Sequence, residues 1–216
     1  MTALLRYRGA LLLRSQRWLA PLLAYATVVA VGIRPGDPVP DSLGLTAAGL
    51  VPATVWLVRI CVTGEPDAAR DCTAAAMGPV RVHAAALLTA LAGAVLAGAA
   101  AGAVAVLTGD RAGAGPGPAA FAGALAVAAC ALTGLSVGAL CSRPLLRRRG
   151  HGVLAGTLGS LLAWVLPFSP ARGAVSALVT ASGPGPVPLP LASLAGALLL
   201  AAAAATTACV VAARRS

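Results

Sequence analysis

Few residues in this chain could make or break bonds. Ser136 stands in Gly134-Leu-Ser-Val-Gly138, the G-x-S-x-G pattern that holds the nucleophile of serine hydrolases. Such a serine needs a base within hydrogen-bond reach. The two histidines, His83 and His151, border apolar runs, whereas Ser136 falls inside one, over a helical turn from its end. In a continuous apolar helix a serine more often bonds the carbonyl one turn back, and that is the expectation here. Cys61, Cys72, Cys130, Cys141 and Cys209 have no Cys-x-x-Cys spacing, so no metal site is assigned. They read as small, reduced, apolar side chains. Glu65 is the only glutamate, which rules out H-E-x-x-H zinc chemistry. The chain also has no lysine. That excludes a G-x-x-x-x-G-K-[ST] phosphate loop and Schiff-base catalysis. No catalytic, cofactor-binding or metal-ligating residue is assigned, and the chain is read as not an enzyme.

The elements around these residues are those of a membrane protein. Of 216 residues, 59% are hydrophobic and 10% charged, where a soluble domain carries about 25% charge. Mean hydropathy is +0.89. Six runs approach the ~20 apolar residues that cross a hydrocarbon core of ~30 Å. They cover roughly 18–33, 43–62, 83–107, 119–141, 152–168 and 189–213, forming one transmembrane domain over 1–216.

A net charge of +10 in a soluble protein would suggest nucleic acid. Here all sixteen positive residues are arginines flanking apolar runs, so they signal topology and nucleic acid is no partner. Thirteen fall on one side: Arg6, Arg8, Arg14, Arg17, Arg59, Arg70, Arg81, Arg143, Arg147, Arg148, Arg149, Arg214 and Arg215. Only Arg34, Arg111 and Arg172 fall on the other. Positive residues stay in the cytoplasm, which puts both termini there. A rival reading takes the first run as a signal peptide cleaved after Ala30-Val31-Gly32, but it would remove the densest arginine cluster.

No Asp or Glu lies inside any of the six runs, and Arg59 is close enough to an end to snorkel. A gradient-driven carrier would need such groups at depth. If the protein moves anything uphill, the energy must come from another polypeptide. Gly98/Gly102, Gly134/Gly138 and Gly152/Gly156 place glycine pairs on single helix faces and are read as helix–helix contacts. Pro52 should kink the second span.

Three segments beside the spans have their own punctuation. Ala3–Arg17 reads as an interfacial helix against anionic headgroups, with Trp18 at the membrane entry and Arg8 out of place among its leucines. Glu65–Met77 reads as a short helix with Pro66 at its first position, acidic residues at its positive end, and Gly78-Pro79 as its stop. Asp67, Arg70 and Asp71 share one face, opposite Ala69, Cys72, Thr73 and Ala76. Pro170–Ala181, closed by Gly183-Pro184, is too short to cross and reads as an in-plane or re-entrant helix outside.

In this order the features resemble the membrane subunit of ABC-2 type transporters. The densest local match is Glu65-Pro-Asp-Ala-Ala-Arg70 with Gly78-Pro-Val-Arg81. The resemblance implies an all-α membrane protein of six transmembrane helices, both termini cytoplasmic, in the cell membrane. An amphipathic elbow helix precedes the first span, a cytoplasmic coupling helix joins spans 2 and 3, and a short extracellular helix lies between spans 5 and 6. It implies a permease that forms its pathway with a second copy or a paralogue, works in the direction of export, and is driven by separate ATP-binding subunits. ATP and Mg would sit on those partners. Glu65, Asp67, Arg70 and Asp71 would make the partner contact through charge complementarity. The alternative is a non-transporting polytopic scaffold or immunity protein, which would share every compositional feature.

Overall fold

The computed structural model describes residues 1–110, 116–143, 145, 149–180 and 188–215. The described residues are almost entirely helical, 86% of them, with no strand among them. The described helices are α1 (Thr2–Ser15), α2 (Leu19–Gly32), α3 (Val39–Thr63), α4 (Asp67–Met77), α5 (Pro79–Thr108), α6 (Pro116–Leu140), α7 (Arg149–Val165), α8 (Pro170–Thr180) and α9 (Leu191–Arg215). Proline opens several of them, because its missing N–H costs nothing in a first turn: Pro79 in α5, Pro116 in α6 and Pro170 in α8. Gly78 separates α4 from α5 with φ of +84°, a backbone region glycine enters without strain.

Helix α3 is the hub, touching α2, α5, α6, α7 and α8. It passes through Pro52 as one continuous helix, and Pro52 itself faces outward. Around it the core is made of very small side chains. Ala86, Ala90, Ala94, Gly98, Ala101 and Ala105 form the buried stripe of α5. Small residues let backbones approach, which is how helices associate where lipid removes any hydrophobic advantage. All three glycine pairs pack within the chain. A Cβ on Gly134 would stand 2.7 Å from the Val51 carbonyl oxygen, and one on Gly138 2.8 Å from Val58 Cβ. A Cβ on Gly98 would meet Val127 at 2.6 Å, and one on Gly156 would meet Val55 at 3.1 Å. The large apolar side chains point outward instead: Leu96, Leu107 and Leu199 are each more than 70% exposed. That is an inside-out arrangement suited to lipid as the solvent.

The six separate spans expected from the sequence appear in part. α3, α5, α6 and α9 are each long and apolar enough to cross a membrane. α2 has only 14 residues, ~21 Å at 1.5 Å per residue, against a core of ~30 Å. α7 and α8 qualify only together, as a pair bent by 44°. Pro167 explains the bend, because it cannot donate to the ladder and pushes Leu166 out of helical geometry. α8 is therefore packed into the bundle, with Ala171, Ala174 and Leu178 buried. Cys130, near the middle of α6, has its Sγ 3.9 Å from the Ala171 carbonyl oxygen. These long apolar helices point to a multi-pass membrane protein.

The ends of the bundle are internally consistent. Asp110 N donates to the Asp37 carbonyl at 2.9 Å, joining the two loops that the sequence places on one side. The basic linker residues Arg111, Arg147 and Arg148, and the Gly183-Pro184 stop, lie outside the described residues.

Candidate partner-docking site

Arg8, Glu65, Arg70 and Asp71 lie at the end of the bundle opposite the Asp37–Asp110 contact. α1 lays one face on the bundle, with Leu4 packed against Val82 and Ala85 of α5. Arg8 is one turn further along that same face, and it is 4% exposed. Its presence among the leucines is resolved by its partner. Arg8 Nη2 meets Glu65 Oε2 at 2.5 Å, and the Glu65 side chain has no exposure at all. Tyr7 Oη donates to the other carboxylate oxygen, Oε1, at 3.1 Å. That bond holds the phenol above its ordinary value, since ionising it would place an anion beside the carboxylate. Cys61 and His83 lie within the electrostatic reach of the guanidinium. Arg8 Nε and His83 Nε2 are buried without a hydrogen-bond partner among the described residues.

Glu65 therefore faces inward, between the end of α3 and the start of α4, instead of lying on an outer docking face. α4 begins at Asp67, one residue later than the sequence suggested, with Pro66 as its extended cap. The other candidate contact residues divide. Asp71 is exposed and Arg70 is half-buried. The side chain of Asp67 lies outside what the structure describes. α4 rests on α5, with Ala69, Arg70, Thr73 and Ala74 half-buried and Ala68, Asp71, Cys72, Ala75 and Ala76 exposed. The polar and apolar faces read from the wheel are thus rotated: Cys72 and Ala76 join Asp71 on the open side. The root of α4 is thus fixed by a buried ion pair while one face of the helix stays exposed.

Ser136 is buried and donates Oγ to the Leu132 carbonyl at 2.7 Å, one turn back in α6. Among the described residues no three His, Cys, Asp or Glu side chains gather where they could hold a metal, and the cysteines are free thiols. Sequence reasoning missed Arg8, Tyr7 and His83. The available signal was Arg8 itself, a charge on an apolar helix face in a chain with one glutamate.

No protein-family model, curated protein or solved structure matches the chain.

Proposed function

We propose that this protein is the membrane subunit of an ABC-2 type transporter, working as a dimer and driven by separate ATP-binding subunits that dock on α4. The observation that supports this best is the Arg8–Glu65 pair, which ties the helix before the first apolar run to the root of the short helix after the second. A rigid link there would pass a displacement of α4 into α1, α3 and α5 together, giving rigid-body rearrangement of the spans. On this reading α2 is a short first span and α7 with α8 a broken fifth, which makes six crossings with both termini cytoplasmic. Asp71 and Arg70, with Asp67, make the partner contact. Glu65 sets the position of α4 and does not touch the partner.

The test is mild-detergent purification of the tagged chain, followed by mass spectrometry of co-purifying proteins. Recovery of a nucleotide-binding subunit, lost when the charges at Asp67, Arg70 and Asp71 are reversed, is expected. A chain that purifies alone, without ATPase activity that responds to it, would move the assignment to a scaffold or immunity protein.

A further inference from the structure

Between α3 and α7 lies a slot of about 390 Å³, open sideways. Pro52, Val55 and Trp56 form one wall, and Val153, Leu161 and Trp164 form the other. Three hydroxyls also line it: Ser142 at the Cys141 end, and Thr157 and Ser160 along α7, where both are turned back into their own helix. Thr157 Oγ1 donates to the Val153 carbonyl at 3.0 Å, and Ser160 Oγ to the Gly156 carbonyl at 2.9 Å. The wall is thus apolar in effect, and the volume falls within the ~300–1,000 Å³ of small-molecule sites.

One end of the slot is different. Arg59, near the end of α3, lines it there beside Cys141 and Gly152. Its guanidinium lies against the first turn of α7 because Gly152 has no side chain. A Cβ at that position would stand 2.7 Å from Arg59 Nη1. The slot therefore has a cationic mouth at the arginine-rich end of the bundle and an uncharged interior. A guanidinium carries five N–H donors, so contacts within the protein and to a phosphate are compatible. Along α7 from Gly152 to Trp164 the slot runs ~18 Å, close to the thickness of one leaflet, half of a ~30 Å core.

We propose that the α3–α7 slot holds one acyl chain of an anionic membrane phospholipid, with its phosphate on Arg59. Charge complementarity at the mouth and the apolar length behind it select this occupant. The proposal requires only that the chain sits in a membrane, and it stands apart from the transporter assignment. The slot faces lipid through Trp56 and Trp164, each nearly half exposed.

These tryptophans supply the test. The chain has three, and Trp18→Phe leaves only the two in the slot. This variant is reconstituted in phosphatidylcholine vesicles in which either a minor phosphatidylglycerol component or an equal part of the phosphatidylcholine is brominated. One guanidinium–headgroup contact should favour the anionic lipid about fivefold in quenching. Arg59→Gln should bring the two lipids to parity while leaving phosphatidylcholine quenching unchanged. Arg59→Lys should keep part of the preference. Thr157→Phe, at an exposed position on the wall, should lower quenching by both lipids. No preference in the Trp18→Phe chain, or a preference that survives Arg59→Gln, would overturn the proposal. Should Arg59→Gln not fold, unchanged quenching in Thr157→Phe would overturn it instead. Quenching by neither lipid would mean that another protein surface covers the slot, which also overturns it.

Discussion

Arg8 on α1 and Glu65 at the start of the α3–α4 connection meet at 2.5 Å, and both side chains are shut off from solvent. Removing one partner leaves an uncompensated buried charge, which typically costs ~3–5 kcal/mol. Removing both leaves no such charge, and well-packed apolar replacements are often neutral. Arg8→Met and Glu65→Leu should each lower the unfolding midpoint in detergent sharply, while the double variant recovers most of the loss. Additive losses would show that the pair is not coupled.

The Tyr7 hydroxyl links pH to the same cluster. Its folded pKa lies above the unfolded value of 10.0 because the phenol proton is held by Glu65. A raised folded pKa stabilises fully below pH ~10 and is lost as pH climbs through the folded value. Unfolding midpoints measured across that alkaline range should fall further for the native chain than for Tyr7→Phe. The effect should be small, since Tyr7 is 41% exposed.

Thiol reactivity reads the placement of α4. Cys72 is exposed, whereas Cys61 and Cys130 are buried. A membrane-impermeant maleimide should label Cys72 in inverted vesicles and leave it unlabelled in intact cells. Cys61 and Cys130 should react only after denaturation. Labelling of Cys72 in intact cells would reverse the orientation assigned from the arginines.

The glycines of the core should not respond alike. Gly134→Ala drives a methyl to 2.7 Å from the Val51 carbonyl oxygen, a backbone atom that cannot step aside. Such overpacking costs ~1–3 kcal/mol. At Gly102 the nearest neighbour, Leu43 Cδ2, is 3.6 Å away, an ordinary contact. Gly102→Ala should therefore be neutral, or stabilising by up to ~1 kcal/mol through helix propensity. Thermal unfolding of the two variants in the same detergent separates the cases.

The local punctuation was largely legible in the sequence. Gly78-Pro79 ends one helix and starts the next, and Pro170 opens α8, because both signals act on the backbone beside them. Ser136 bonds backward as a serine in an apolar helix should. Relations between segments were not legible. A helical wheel of α1 makes Arg8 an error, because its partner is 57 residues away. Hydropathy made residues 152–168 a crossing by themselves, whereas α7 is long enough only together with the bent α8, because apolar content alone does not record where the helix stops before Pro167. The α3–α7 slot was invisible for the same reason: Arg59 and Gly152 become neighbours only when the helices pack.

The proposed function places the docking of an ATP-hydrolysing partner on α4. It is tested most directly by crosslinking from Cys72 in native membranes, with the other four cysteines replaced by alanine or serine. A thiol-to-amine crosslinker should join Cys72 to a nucleotide-binding subunit, and reversing the charge of Asp71 should weaken the product. Crosslinks from Cys72 that yield no such subunit, in membranes where the chain is folded, would contradict the account.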